Sequence, residues 1–430
     1  MIDGPPTRRG PPRASLPVTA SAALLVAALS TVALPPPRLA AQSDDPMPRA
    51  LATSVGLNEA ALAEATAVLQ RHVDAGKTAG AVAMMSRHGR LAYSVTVGSQ
   101  DLATHAPMNE RSLFRIYSMT KPVTAVAVMM LWEQGRFGLD DPVSKYLAEF
   151  AEVVVRNADG TTRPPARPVT VRDLLLHTSG LEHRTSAVYR DAQVRSRTMT
   201  LPQFVRNIVR VPLMEDPGTR FRYSESTTVL GRLVEVWSGM PFDAFLDARI
   251  FGPLRMPDTG FYATPAQQRR LTTVYGPGDN GALREVAIES LPFTEKPALI
   301  EGAVGLLSTA PDFLRFAQML LRHGELDGVR LLEAQTVDTM VRNGLSDPVL
   351  AARGNGAMGW GLGNVNIVLK PEALRYPASR GEYGWDGTAG TIFWNDPAAD
   401  TVLVLLTQNS PPDPDNLRAR FKTAIQEAIR

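Results

Sequence analysis

A serine and a lysine three positions apart, Ser118 and Lys121, stand at the start of an apolar segment that runs to Trp132. Pro122 is tolerated in the first turn of a helix but not in its interior, so a helix is predicted to begin near Ser118. Both side chains then lie on one face of that helix. Ser-x-x-Lys also occurs by chance as a solvated serine and a surface lysine. In a desolvated pocket, however, burial disfavours the charged form of the lysine, which can then act as the base that a serine nucleophile needs.

A tyrosine and a glycine-rich turn are the other candidates for chemistry. Tyr223 stands on a loop just before a predicted helix, where its phenol either points at a nucleophile or packs under the helix. Beside a lysine ammonium, a phenol loses its proton more easily. The stretch 384–390 between two predicted strands contains three glycines, which either form a simple hairpin or let the backbone approach a ligand closely. In the second case the backbone N–H of Thr388 can donate to an oxyanion.

Other kinds of chemistry have little support in the sequence. The chain has no cysteine, which excludes disulfides, thiol catalysis and cysteine-ligated metal. The six histidines show no His-x-x-x-His or His-x-His spacing, so we expect neither a metal nor another cofactor. His177 is interpreted as a loop histidine that bonds to nearby backbone, with a catalytic role as the alternative. The Gly-x-Ser-x-Gly elbow of the α/β-hydrolases is missing.

Residues 1–41 have the pattern of an export signal, with an uncleaved membrane anchor as the alternative. Basic residues that include Arg8 and Arg9 precede a mostly apolar stretch, Val18 to Leu34, and the small residue Ala41 follows. We expect cleavage near Ala41, location in a bacterial periplasm or in the medium, and no stable membrane span afterwards. Without these residues the net charge falls from +2 to about −1, so we expect no nucleic-acid partner.

The pattern of predicted helices and strands around these residues indicates an α+β fold. The chain has 430 residues, 44% apolar and 20% charged, which is typical of a globular protein with a sizeable core. Strand patterns occur over 79–97 and return after residue 302. We therefore predict an antiparallel sheet flanked by helices and built from both ends of the chain, residues 56–138 and 292–430. A mostly helical domain, 139–291, is inserted between them, and residues 42–55 form a flexible mature N-terminus.

Taken together, the motifs resemble those of the serine β-lactamase and penicillin-binding-protein superfamily, most closely its class C-like branch with the family VIII carboxylesterases. The pattern in that family is Ser-x-x-Lys, then Tyr-x-Asn or a Tyr-Ser variant, then a Lys-Thr-Gly, His-x-Gly or Trp-Gly-Gly triplet near the end. The corresponding residues here are Ser118 with Lys121, then Tyr223, then Trp385-Asp386-Gly387. The resemblance covers about residues 56–430, and the fold that it implies agrees with the one predicted above.

The resemblance also implies a role for each matching residue. Ser118 would be acylated, and Lys121 would take up or relay its proton. Tyr223 would act as general base in acylation and would then activate water for deacylation. The backbone N–H groups of Ser118 and Thr388 would form an oxyanion hole, in which each donor is worth about 10²–10³ in rate.

Departures from the family pattern bear on the substrate. The lysine of Lys-Thr-Gly, which helps to hold a substrate carboxylate, is replaced by Trp385, and its neighbour is the anion Asp386. A charge-assisted hydrogen bond is worth about 1.5–3 kcal/mol, so its loss, together with repulsion from a free Asp386 carboxylate, disfavours β-lactams and D-Ala-D-Ala termini. The asparagine of Tyr-x-Asn is replaced by Glu225, which weakens the case for an acylamino substrate. Trp385, Asp386, Gly387 and Glu225 are thus the predicted substrate-binding residues, with Trp385 as an apolar wall.

Three functions follow from this interpretation. The first is a carboxylesterase for small neutral or aryl esters, which the sequence does not separate from a transesterase. The second is a β-lactamase or D-amino-acid peptidase whose carboxylate partner is another cation, such as Arg222 or Arg380. The third is a penicillin-binding or sensor protein without turnover. The esterase mechanism requires Glu225 to point away from Lys121, because an adjacent carboxylate would stabilise the lysine ammonium.

Overall fold

The computed structural model describes Gly10 and residues 47–279, 281–289, 292–354 and 356–429. The predicted export signal over residues 1–41 therefore lies outside the described residues, apart from Gly10. Within the described ranges, no helix combines the length and the apolar character that crossing a bilayer requires.

The described residues contain twelve α-helices and sixteen strands. The helices are α1 (Glu59–Asp74), α2 (Thr120–Glu133), α3 (Val171–Leu176), α4 (Ala187–Asp191), α5 (Leu201–Ile208), α6 (Ser226–Ser238), α7 (Phe242–Leu246), α8 (Pro265–Gln268), α9 (Ala310–Leu321), α10 (Ala334–Met340), α11 (Asp347–Ala352) and α12 (Leu417–Ile429). The strands are β1 (Gly80–Arg87), β2 (Arg90–Asp101), β3 (Ala106–Pro107), β4 (Phe114–Arg115), β5 (Val155–Arg156), β6 (Thr162–Arg163), β7 (Tyr275–Pro277), β8 (Leu283–Glu285), β9 (Leu307–Ser308), β10 (Glu325–Leu326), β11 (Val329–Arg330), β12 (Met358–Trp360), β13 (Asn366–Val368), β14 (Tyr383–Asp386), β15 (Ile392–Asp396) and β16 (Thr401–Leu406).

Eight of these strands form one antiparallel sheet in the order β12-β13-β14-β15-β16-β1-β2-β3. At its centre β1 pairs with β16, with Val82 opposite Leu406 and Met84 opposite Val404. The first and the last of the described strands, β1 and β16, are thus direct neighbours in the sheet. The predicted α+β fold, with an antiparallel sheet built from both ends of the chain, is confirmed.

The sheet is a middle layer between two sets of helices. Successive side chains of a strand point to opposite faces. Val82 and Met84 of β1 join the core cluster that contains residues of α2 and α9. Ala81 and Ala83 join the cluster that contains residues of α1 and α12. Because β1 is apolar on both faces, it requires cover on both sides, which these four helices supply.

The segment 139–291, predicted as an inserted helical domain, carries helices α3 to α8 and two short strand pairs, β5–β6 and β7–β8. Its separation from the sheet as a domain of its own stays a prediction. What matters for the site is that α6 of this segment packs directly against α2. The start of α2 and the loop before α6 are thereby brought together.

The N-terminal segment differs from the expected flexible residues 42–55. Its described part, 47–55, is held against β2 by backbone hydrogen bonds in both directions: Ala50 donates to the carbonyl of Leu91, and Leu91 donates to that of Pro48. Met47 is buried in the main core cluster. The polar composition of residues 42–55 suggested a flexible segment. Backbone hydrogen bonds of this kind cannot be predicted from the side chains, because they do not depend on residue type.

Candidate active site

Ser118 lies in a single 3-10 turn, Tyr117–Met119, directly before α2. Tyr117 has a φ of 41°, a left-handed conformation that a bulky residue seldom adopts. Tyr117 and Met119 are buried, whereas Ser118 between them is partly exposed. The backbone N–H of Ser118 has no acceptor among the described residues. The strained turn therefore presents both the hydroxyl and a free N–H group of the same residue.

Lys121 lies one helical turn after Ser118 and is only 1% exposed. Its Nζ donates to the carbonyl oxygen of Ala303 at 3.0 Å and lies 4.6 Å from the centre of the Tyr223 ring. Burial lowers the pKa of Lys121 to about 7, and the charge of Glu225 offsets part of this effect. Near neutral pH a large fraction of the amine is therefore uncharged and able to accept a proton.

Tyr223 approaches Ser118 from the loop before α6. The Ser118 side chain lies close enough to the phenol to lower its pKa, and the indole Nε1 of Trp385 donates to its Oη at 3.0 Å. Burial raises the pKa of Tyr223, so the resting phenol is protonated. The structure thus brings together Ser118, Lys121 and Tyr223, which the sequence separates by as much as a quarter of the chain.

His177 packs against Tyr223, with the two ring centres 4.9 Å apart. Its Nδ1 accepts the backbone N–H of Ser224 at 3.2 Å, and its Nε2 lies 3.1 Å from Oδ1 of Asn364. A neutral ring with its proton on Nε2 satisfies both bonds. Burial, aided by the charge of Lys121, holds the pKa of His177 well below its usual range. Its backbone partner, Ser224, lies on the Tyr223 loop and is distant from His177 in the sequence. Asn364 belongs to no motif identified in the sequence.

The turn that follows β14 docks against the segment that precedes Ser118. A Cβ on Gly387 would clash with the backbone carbonyl oxygen of Ile116, so only glycine permits this approach. The next residue, Thr388, has a backbone N–H without an acceptor in the described part of the chain. Two adjoining segments therefore each carry a free N–H, from Ser118 and Thr388, as an oxyanion hole requires.

The predicted substrate-binding residues of β14 do not all face the same space. Trp385 is partly buried among aromatic rings, with its ring centre 5.2 Å from that of Tyr223 and 4.6 Å from that of Trp360. Asp386 is the next residue of the strand and forms an ion pair with Arg418 of α12. The charge of Asp386 is therefore balanced. We expected Asp386 to repel carboxylate substrates, and this ion pair removes the reason for that expectation.

Glu225 is a second correction. It is 1% exposed, and its Oε2 accepts a hydrogen bond from Thr228 Oγ1 at 2.8 Å, within its own helical turn. No ion pair among the described residues joins Glu225 to Lys121, but the charge of Glu225 still raises the pKa of Lys121. Because it is enclosed by the protein, Glu225 does not offer a surface to a substrate, contrary to prediction. Burial also raises the pKa of its carboxyl group.

One edge of β14 is open beside Trp385. On that side β13 pairs only with Tyr383 and Gly384, and no other described strand continues the pairing. A free strand edge offers backbone donors and acceptors to an extended ligand. A cavity of about 250 Å³ adjoins β14 and shares Trp385 with the site, although Ser118, Lys121 and Tyr223 do not line it.

Comparisons with known proteins extend over most of the chain. The family model described as Beta-lactamase matches residues 65–427. Protein Rv1367c of Mycobacterium tuberculosis is 35% identical over 355 residues, which cover 79% of this chain and 88% of that protein. Esterase EstB of Burkholderia gladioli is 31% identical over 402 residues, which cover 88% and 97%. The solved structure of EstCE1, a hydrolase with promiscuous acyltransferase activity, has a TM-score of 0.73 and 27% identity, covering 85% of this chain and 99% of that one.

Proposed function

The chain belongs to the β-lactamase family, and on that premise we propose that it is a serine carboxylesterase that acts on small neutral or aryl esters through an acyl-enzyme on Ser118. The observation that carries this proposal is the hydrogen bond from Trp385 Nε1 to Tyr223 Oη. At the position where a β-lactamase triplet has a cationic lysine, this chain has an uncharged donor that is already engaged. The site therefore favours a substrate without a carboxylate.

In the proposed reaction Ser118 Oγ attacks the ester carbonyl carbon. The serine proton passes to Tyr223 Oη, while the phenol proton moves to the uncharged amine of Lys121. The backbone N–H groups of Ser118 and Thr388 donate to the oxyanion. When the intermediate collapses, Lys121 returns its proton through Tyr223 to the departing alcohol. A water molecule then attacks the acyl-enzyme by the same proton path and releases the carboxylic acid.

The carboxylate partners required by the β-lactamase or peptidase alternative find no support in the structure. Arg222 is paired with Glu182 at 3.0 Å and with Glu215. Arg380 is exposed and lines a cavity that contains no residue of the candidate site. Neither arginine is thus available to a substrate at Ser118, which supports an ester substrate over a carboxylated one.

The direct test compares two substrates on the purified protein without its first 41 residues. We expect turnover of p-nitrophenyl butyrate, and a value of kcat/KM for a chromogenic cephalosporin that is at least about 10² lower, since neither Arg222 nor Arg380 is available to its carboxylate. Efficient cephalosporin hydrolysis would contradict the esterase proposal and favour a β-lactamase. Stoichiometric labelling of Ser118 by penicillin, with no turnover of either substrate, would point to a penicillin-binding protein.

Replacing Trp385 with phenylalanine should lower kcat/KM for p-nitrophenyl butyrate about tenfold. The ring remains, but Tyr223 Oη loses its indole donor, and an unmet buried hydrogen bond costs about 1–3 kcal/mol. Because the donor acts on the phenol and not on the substrate, we expect the change in kcat with KM nearly constant. Steady-state kinetics measure both.

The matched control is Trp360→Phe. Trp360 also stacks in the aromatic cluster, but its Nε1 donates to the carbonyl of Leu175 at 3.2 Å, away from Tyr223. We expect this variant to lose thermal stability and to keep most of its kcat. Equal losses of kcat in the two variants would mean that aromatic packing, rather than the indole donor, sets the rate.

A further inference from the structure

The side chain of Arg418 in α12 spans the turn that carries Thr388. One terminal nitrogen, Nη1, forms the ion pair with Oδ2 of Asp386, at the end of β14. The other, Nη2, donates to the carbonyl oxygens of Gly387 at 3.2 Å and Thr391 at 3.3 Å. Arg418 therefore holds the residue before the turn and both ends of the turn itself, with a side chain that is only 13% exposed.

The turn depends on contacts of this kind. Within it, Gly387 donates its N–H to the carbonyl of Thr391 at 2.7 Å, the same oxygen that accepts from Arg418. Thr391 Oγ1 also lies 3.3 Å from the carbonyl oxygen of Ile116, which connects the turn to the segment before Ser118. The N–H of Thr388 itself has no acceptor among the described residues. Its position is thus set by the contacts on either side.

We infer that Arg418 is a positioning residue for the oxyanion hole, which holds the Thr388 N–H where negative charge develops during acyl transfer. This role rests on the proposed function. An oxyanion donor works only at about 2.7–3.1 Å from the oxygen, so a small relaxation of the turn removes most of its effect. Arg418 acts through the turn and does not touch the reacting atoms.

The contacts of Arg418 distinguish this role from a direct one. Its two terminal nitrogens are engaged by Asp386 and by the turn, and its buried Nε has no partner among the described residues. Arg418 also lines the cavity beside β14, but both of its terminal nitrogens are already bonded to Asp386 and to the turn. If Arg418 instead bound a substrate carboxylate, its loss would affect cephalosporins and leave neutral esters unchanged.

The same helix supplies a matched control one turn later. Lys422 donates to Glu382 at 2.9 Å, and both side chains are almost fully buried. This ion pair also joins α12 to the sheet just before β14, but it does not contact the turn. Lys422→Met therefore removes an ionic contact between the same two parts of the fold and leaves the turn contacts in place. Glu382→Gln is a milder version of the same control.

The experiment compares Arg418→Met, Arg418→Lys and Lys422→Met, all in the chain without its first 41 residues. For Arg418→Met we expect kcat for p-nitrophenyl butyrate to fall about 10–100-fold, with KM within about twofold. Affinity for phenylboronic acid, which forms a tetrahedral adduct on the serine, should fall by a similar factor. Arg418→Lys should recover part of both. Lys422→Met should lower the melting temperature and keep kcat and boronate affinity.

Three results would overturn the inference. Arg418→Met could keep kcat and boronate affinity within about twofold, could lose no more than Lys422→Met does, or could lose activity on the cephalosporin alone. Failure of the proposed function is distinguishable. A wild-type chain that does not hydrolyse esters, yet reacts with a fluorophosphonate at Ser118, would refute the esterase. The labelling rate would then test Arg418 in the same way, and an unchanged rate in Arg418→Met would refute the positioning role.

Discussion

Replacing Ser118 with alanine should lower kcat/KM for p-nitrophenyl butyrate by at least about 10⁴-fold, because the acyl-enzyme can no longer form. The other parts of the site remain, so a small residual rate from substrate binding and the oxyanion hole is expected. Steady-state kinetics give the loss, and intact mass spectrometry of the quenched reaction should show an acyl adduct on the wild type but not on the variant.

A suitable control is Ser86→Ala. Ser86 is fully buried in β1, where its hydroxyl donates to Gln318 Oε1 at 2.6 Å, and it lies outside the site. Its replacement removes a buried hydroxyl of the same kind and should reduce stability more than activity. If Ser118→Ala retained ester turnover, the assignment of the nucleophile would be wrong, whatever the substrate.

Replacing Lys121 with methionine should lower kcat about 10²–10⁴-fold, the range typical of general acid–base catalysis. In the wild type, the uncharged amine of Lys121 is the form that accepts a proton. Burial sets its pKa at about 7. The fraction of free amine grows as the pH rises through this value, so kcat/KM should rise with pH and level off above it. A pH–rate profile on p-nitrophenyl butyrate tests the sign directly.

A profile that falls as the pH rises through 7 would show that the ammonium is the active form and that Tyr223 works as a phenolate. Glu225→Gln provides a control for the assignment. The carboxylate charge of Glu225 raises the pKa of Lys121, so its removal should move the rising limb to lower pH. A limb that stays in place would mean that another group titrates there.

Features encoded by short stretches of sequence, such as a helix start or a catalytic motif, were the most predictable. Pro122 and the apolar run after it located the start of the Ser118 helix, which the structure has as a 3-10 turn leading into α2. The relationship to the serine β-lactamase family, read from three short motifs, is confirmed by the family match and by EstB. Such motifs remain visible in a sequence because the chemistry fixes both the residue types and their order.

The direction of a side chain was the least predictable property. Trp385 was expected as an apolar wall, yet its Nε1 contacts Tyr223 Oη, which lies 162 positions away in the chain. Glu225 was expected to meet the substrate but is enclosed against its own helix. Asp386 was expected as a free anion, and its partner Arg418 carries no signal of its own in the sequence. Such outcomes depend on which distant elements pack together.

The pairing of β1 with β16 also determines how late in synthesis the active site can be assembled. β1 leaves the ribosome early, with apolar residues on both faces, and its central partner is made only near the end of the chain. Until then its unpaired edge is a target for wrong association. Closing so long a loop is slow, and Ser118 and Thr388 lie within it, near its two ends. The return of ester hydrolysis after dilution from denaturant would therefore time the closure of the sheet, whereas circular dichroism would report the helices earlier.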